Sequence, residues 1–293
     1  MEIIKTKDIK KLQISELYSF FNKLPTHGFL DFSKDKKHFK KEITDLINDK
    51  KYRFAIEYEN NKITNYFLIK NEDSLKRSIV MTYDLNKIKN NIKTIKDFTN
   101  SNKLEIGIRN FEKNQITENY FFDYLKTYNF MKLKRNKLFP EINEDISVFE
   151  SINHKNYYKD LVTIQNDCFA DQYGYEVNNL PEFKLEIQNL EKRNINSFFE
   201  ISKNNSNTWL GYVWTQLNLE NNEGRLSMCG VKKEYRSKGI AKPLIISALN
   251  YLIKNNCELI YLEVDNENKP AKKIYKSLGF TKYSELNWFN IKY

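Results

Sequence analysis

Glycine is scarce in this chain of 293 residues, and its placement is uneven. Of eight glycines, only Gly28 and Gly107 fall within residues 1–145, whereas Gly174, Gly211, Gly224, Gly230, Gly239 and Gly279 fall in the remainder. Glycine is the residue that accepts positive φ and lets a backbone approach a phosphate closely. The second half is therefore predicted to carry the ligand site. The length predicts two domains at roughly 100–200 residues each. The polar stretch Phe139-Pro140-Glu141-Ile142-Asn143-Glu144-Asp145 sets the expected boundary, giving domains over 1–145 and 146–293. A hydrophobic content of 40%, with 14% aromatic, suffices for packed cores and excludes a disordered chain. No apolar run reaches the roughly 18 residues of a membrane span, and Met1–Lys5 opens without an apolar signal region. The three cysteines and three histidines are scattered, which points away from disulfide and metal frameworks and fits a reducing cytoplasm.

The net charge of +10 sits mainly in the first half. Residues 1–145 hold 29 Lys+Arg against 21 Asp+Glu, and residues 146–293 hold 19 against 17. A basic half admits an acidic partner such as RNA. Here the lysines mostly alternate with acids and Asn, the pattern of a solvated face, and no base-stacking motif accompanies them.

In the second half, Tyr157–Cys168 has helical spacing, and Ser197–Ile201 with Trp209–Trp214 reads as two strands around a turn at Asn204–Asn207. Arg225–Val231 and Leu259–Val264 read as strands. Gly239–Lys254 and Asn268–Leu278 read as helices, the second ended by Gly279, and Phe280–Tyr293 as closing strands. The first half repeats this order faintly. It has a hairpin around Asn60-Asn61, a strand over Ser78–Tyr83, a helix over Lys87–Phe98, a strand over Leu104–Ile108 and a helix over Tyr120–Tyr128 with Asn129 at its end. That order suggests an internal duplication. The expected class is mixed α/β (α+β), with each half a mostly antiparallel twisted sheet flanked by helices.

Two segments carry the chemistry. Val231-Lys232-Lys233-Glu234-Tyr235-Arg236-Ser237-Lys238-Gly239-Ile240-Ala241 follows a strand and opens a helix. Free backbone N–H groups and the helix dipole meet there, which suits a pyrophosphate. The second segment runs from Leu262 to Phe280. In it Asn268 is placed as an N-cap, and Tyr275 lies two turns on along the same helix face.

Together these segments resemble the GNAT superfamily of acyl-CoA-dependent N-acetyltransferases. Arg236-Ser237-Lys238-Gly239-Ile240-Ala241 is similar to its R/Q-x-x-G-x-G/A loop, and Asn268, Ala271, Tyr275, Gly279 and Phe280 to its N-x-x-A-x-x-x-Y-x-x-x-G-F segment. Cys168-Phe169-Ala170-Asp171-Gln172-Tyr173-Gly174-Tyr175 resembles the tandem-GNAT group that includes mycothiol-synthase-like proteins. The resemblance implies a degenerate GNAT-like domain over 1–145 and an acetyl-CoA-binding catalytic domain over 146–293. It implies that the strand ending at Cys229, Gly230 and Val231 pairs with pantetheine and that the Ser237–Ala241 amides hold the pyrophosphate beside Arg236 and Lys238. It also implies that Asn268 and Ala271 contact the cofactor and that Tyr275 protonates the departing thiolate. The acceptor would be an amine of a small molecule or peptide, without nucleic acid, membrane or metal, and the protein a monomer or homodimer. One departure stands out. Many members carry a Glu on the strand before the loop, but here that strand reads Arg225-Leu226-Ser227-Met228-Cys229. Either a water relay deprotonates the amine or the base comes from another element, with Asp171 and Glu176 as candidates and Glu223 nearby. A non-catalytic acyl-CoA-binding or interaction protein is the alternative.

Overall fold

The computed structural model describes residues 2–23, 30, 32–109, 121–140 and 148–293. The chain divides into two compact units, Met1–Tyr128 with Ser284–Tyr293, and Asn129–Tyr283. The expected boundary stretch over 141–145 lies outside the described residues.

In the first unit, strands β1 (Glu2–Lys5), β2 (Tyr52–Glu59), β3 (Lys62–Glu72) and β4 (Arg77–Thr82) pair antiparallel in sequence order. Strand β5 (Leu104–Arg109) then joins β4 in parallel. The β2–β3 hairpin turns at Asn60 and Asn61, both at positive φ (51° and 58°), the conformation a two-residue hairpin of matching twist demands and Asn tolerates. Helices α1 (Lys11–Phe21) and α2 (Lys36–Asn48) cover one face through Leu17, Phe39 and Ile43 against Phe54, Ile56 and Leu68. The other face carries two short helices, α3 (Lys87–Asn90) and α4 (Ile92–Lys96), whose Ile88 and Ile95 pack on Ala55, Phe67 and Val80. The helix expected over Lys87–Phe98 is thus broken at Asn91, which adopts φ −110° and ψ 14°.

A second difference concerns Tyr120–Tyr128. Where a helix was expected, residues 122–134 form strand β6 (Phe122–Lys134). Its burial alternates from Thr127 through Asn129, Met131 and Leu133, the period of two that a sheet imposes. Aromatic and β-branched content outweighs the chance helical spacing of Phe121, Tyr124 and Tyr128. Asn129 accordingly sits inside a strand and does not end a helix; its Nδ2 donates to Asn266 Oδ1 at 2.9 Å.

The second unit repeats the plan. Strands β7 (Val148–Ile152), β8 (Ile195–Lys203), β9 (Trp209–Asn218) and β10 (Glu223–Val231) pair antiparallel, and β11 (Leu259–Asp265) joins β10 in parallel. Helices α5 (Tyr158–Phe169) and α6 (Leu180–Lys192) place Leu161, Ile164, Phe183 and Ile187 against Phe199, Tyr212 and Trp214. On the opposite face α7 (Ala241–Lys254) buries Leu244, Ala248, Leu249 and Leu252 against Val213, Leu226 and Ile260. Each such leucine is worth about 1.5–3 kcal/mol in removal from water. Helix α8 (Lys269–Ser277) follows β11. Strand β12 (Thr281–Ile291) closes the chain, and its Leu286–Asn290 pairs antiparallel with Glu105–Arg109 of β5. Among the described residues no helix is long and apolar enough to cross a membrane.

Candidate active site

The candidate site starts from an irregularity in β10. The β9–β10 register shifts between Leu226 and Met228, leaving Ser227 as the extra residue of a bulge. A bulge bends and twists the strand that carries it. The parallel ladder with β11 runs only from Glu223↔Leu259 to Leu226↔Leu262. From Ser227 onward the β11-facing edge of β10 has no ladder partner among the described residues, although β11 continues to Asp265. Cys229, Gly230 and Val231 therefore border a cleft between two parallel strands, with main-chain groups left for a ligand.

The loop beyond Val231 makes a 3-10 turn over Lys233–Tyr235 and then alternates backbone hand. Ser237 has φ 63° and Gly239 has φ 86°, while Ile240 returns to φ −55° and caps α7. Alternation of this kind turns successive amides toward a common concavity. Among the described residues no N–H from Ser237 to Ala241 donates within the chain. Ile240 anchors the loop by burying its side chain in the α7 core, and Pro243 occupies the first turn, where its missing N–H costs nothing. The helix thus begins at Ala241, two residues after the expected Gly239. Lys238 stays exposed, its Nζ 5.0 Å from the Tyr235 ring centre.

Arg236 is engaged differently. Its Nε donates to Val231 O at 3.1 Å and its Nη2 to Cys168 O at 2.9 Å, which pins the end of α5 to the end of β10. The packing there is tight. A Cβ on Gly230 would stand 2.6 Å from Cys168 Cβ and 2.9 Å from Phe169 Cε2. This clamp joins residues 68 positions apart, so nothing local in the sequence signals it.

Helix α8 brings the second set of residues. Asn268 is its N-cap, with Oδ1 accepting from Ala271 N at 3.1 Å, and Ala271 packs against the core. At the other end Gly279 (φ 93°) donates to Lys276 O, and Phe280 N donates to Tyr275 O at 3.0 Å. This is the six-to-one closure that a glycine at C′ allows. The Phe280 ring meets the Tyr275 ring edge-on at 5.8 Å. The same Gly-Phe pair therefore ends the helix and fixes the Tyr275 ring. The Tyr275 hydroxyl has no hydrogen-bond partner among the described residues, and burial, with Cys229 beside it, raises its pKa well above the ordinary phenol value. The phenol stays protonated at neutral pH. Burial also pushes the Cys229 thiol up to about 12, so a thiolate nucleophile is disfavoured there.

The nearby carboxylates are placed otherwise. Glu223 opens β10, where it accepts from Tyr261 and Asn221, at the far end of the strand from the loop. Asp171 lies 3.5 Å from Lys233 Nζ and is exposed. On the α5 face of the bulge, Gln165 Nε2 and the Tyr212 hydroxyl both point to Met228 Sδ. Sequence reading did not single these residues out.

The first unit handles the equivalent junction after β4 in the opposite way. Asp84 N donates to Asn65 Oδ1, Asn86 N to Asp84 Oδ1 and Lys87 N to Asp84 O. Lys87 Nζ reaches the buried Glu57 at 3.1 Å. Those amides and that cation are consumed by the chain itself.

The profile of the acetyltransferase (GNAT) family matches residues 158–280, which contain the bulge, the loop and α8. Residues 158–280, somewhat less than half of the chain, are thus similar to the GNAT acetyltransferase family. It is 29% identical over 76 residues to a mycothiol acetyltransferase of Corynebacterium aurimucosum (25% of each chain). It is 35% identical over 63 residues to N-alpha-acetyltransferase 30 of Xenopus laevis (22% of this chain, 23% of that one). The alignments thus span about a quarter of these relatives. Among solved structures, a tandem GNAT protein from the clavulanic acid biosynthesis pathway aligns over 99% of this chain and 98% of its own, with a TM-score of 0.68 at 9% identity. A GCN5-related N-acetyltransferase from Sphaerobacter thermophilus covers 87% and 86% at a TM-score of 0.65 and 12% identity. At such identities the likeness is one of fold, and it extends the GNAT architecture across both halves.

Proposed function

We propose that this protein is an acetyl-CoA-dependent N-acetyltransferase acting on an amine of a small molecule or peptide by direct attack, with its catalytic site in the second half. The observation that carries this reading is the convergence of three features on one cleft: the unpaired edge of β10 beyond Ser227, the undonated amides of Ser237–Ala241, and the partnerless hydroxyl of Tyr275 beside Cys229. These residues fit the cofactor by kind. An extended edge suits the amides of a pantetheine arm, and a positive-φ loop at a helix N-terminus suits a pyrophosphate.

Acetyl-CoA supplies an activated acyl group and a thiolate leaving group. Cys229, Gly230 and Val231 offer main-chain groups along the arm. The Ser237–Ala241 amides bind phosphate oxygens, with Lys238 adding charge. Asn268 keeps α8 in register, and Tyr275 holds a proton for the departing sulfur. The only carboxylate of β10, Glu223, stands at the far end of the strand from the loop, so the amine enters already neutral or loses its proton through water. The protein would work in the cytoplasm, as a monomer or homodimer, and nucleic acid is not among the partners proposed.

The missing strand carboxylate favours one competing reading, a non-catalytic acyl-CoA-binding protein. Thiol release from acetyl-CoA with a panel of primary amines separates the two. Amine-dependent release is expected; cofactor binding with no release from any amine would leave the binding-protein reading.

A further inference from the structure

We propose that Arg236 is a positioning residue that couples the cofactor loop to the end of α5 and the segment after it, so that acetyl-CoA binding stiffens residues 165–179. The proposal rests on the acetyltransferase reading of the cleft but goes beyond it.

Three links join the segment Lys232–Arg236 to the end of α5. Lys232 Nζ lies 3.3 Å from Asp167 Oδ2, and Lys233 Nζ lies 3.5 Å from Asp171 Oδ2. Both pairs are solvent-exposed on the carboxylate side and contribute little alone. The third link is of another kind. The guanidinium bridges two main-chain carbonyls, Val231 O and Cys168 O, using two donors of a planar fork. Cys168 O is one of the last carbonyls of α5, which lack helical partners and carry the negative end of the dipole.

From α5 the connection runs on through Asn166. Its Oδ1 accepts from the Tyr175 hydroxyl at 2.8 Å and from Asn178 N at 3.0 Å, and its Nδ2 donates to Asn178 O at 3.0 Å. Asn178 Nδ2 in turn donates to Tyr175 Oη at 3.2 Å. The Tyr175 ring lies 5.7 Å from Phe169, which lies 6.3 Å from Tyr212 beside the bulge. The segment 170–179 is thereby held as one body on the α5 face of β10, opposite the Cys229–Tyr275 side. Anchoring Ser237–Ala241 on a phosphate fixes the neighbouring Arg236, and Arg236 fixes the end of α5. The segment after α5 is then held more rigidly when the cofactor is in place.

Amide exchange of the full chain, with and without acetyl-CoA, tests this. In the wild type, acetyl-CoA is expected to slow exchange about fivefold or more both at 237–244 and at 165–179. In Arg236→Gln the slowing at 237–244 should persist while that at 165–179 falls below about twofold. Arg236→Lys keeps the charge but lacks the planar fork whose Nε and Nη2 reach the two carbonyls, and is expected to behave like the Gln variant. Rescue by Lys of a lost acetyl-CoA affinity would make residue 236 a phosphate ligand and overturn the proposal. Persistent slowing at 165–179 in either variant, or protection at 237–244 without any at 165–179 in the wild type, would also overturn it. No protection at 237–244 in the wild type would overturn the acetyl-CoA reading itself, and the coupling with it.

Discussion

Tyr275→Phe separates a catalytic phenol from a packing one, because the two roles predict opposite effects on stability and turnover. The ring is buried between Cys229 and Phe280, and its hydroxyl has no partner among the described residues. Removing a hydroxyl that makes no hydrogen bond among the described residues forfeits no internal bond. Stability is therefore expected to stay equal or rise, by up to about 1 kcal/mol. Turnover, by contrast, should fall about 10²-fold, the usual scale for one lost proton donor and equivalent to about 2.7 kcal/mol on the barrier. The pH dependence of stability adds a further readout. Burial raises the folded phenol above its ordinary value, so above pH ~10 the unfolded chain loses its proton first. That contribution is present below pH ~10 and is lost as pH rises above it, and the Phe variant should show a shallower alkaline decline. Chemical denaturation at pH 7 and 10.5, calorimetric titration with acetyl-CoA and steady-state thiol release are the assays. Turnover within twofold of wild type, at unchanged acetyl-CoA affinity, would refute the proton-donor role.

Three further outcomes are expected. Gly239→Glu should abolish acetyl-CoA binding in a folded protein, because φ is 86° there and a carboxylate would face the phosphates; calorimetry on a variant with native circular dichroism checks it. One acetyl-CoA should bind per chain, since Asp84 N, Asn86 N and Lys87 N of the first unit are already bonded; two equal sites at equilibrium would contradict this. In the first unit Arg77 bridges the buried Glu72 and Glu105 at 2.7 and 2.8 Å. Burial pushes the Glu72 carboxyl up, but Lys70 and Arg77 outweigh it and hold it below the ordinary value. That stability is present above the ordinary carboxylate range and lost as pH falls through the folded value. Arg77→Met should cost about 3–5 kcal/mol in denaturant unfolding at pH 7, with a weaker acid dependence.

What the sequence made legible was local. Asn268 and Gly279 bound α8 through capping signals that act within one turn, and Asn60-Asn61 marked its hairpin by the same kind of logic. The strand-to-helix loop was readable because positive φ at Gly239 and a free helix end are both properties of a few consecutive residues. Two kinds of feature escaped. The segment from Tyr120 has aromatics that satisfy helical and strand periods alike, and the outcome was decided by sheet neighbours distant in sequence. The partner of Arg236 is a main-chain carbonyl, which has no residue signature at all. The closing segment, counted with the second half on sequence order, pairs with β5 over Leu286–Asn290 because its alternating apolar residues find that edge open.

That last pairing has a consequence for how the protein is made. Strand β5 leaves the ribosome early, but its partner, residues 286–290 of β12, emerges only after the whole second unit has been synthesised. At about 5–20 residues per second, the nascent first unit spends many seconds with the edge from Leu104 to Arg109 open. The charges along that edge are the protection available in the interval. Glu105 and Arg109 punctuate Leu104, Ile106 and Ile108 and discourage strand-to-strand association between neighbouring nascent chains. The second unit faces a like delay, because its residues Asn129–Lys134 of β6 stand beside β11, which emerges only at Leu259–Asp265.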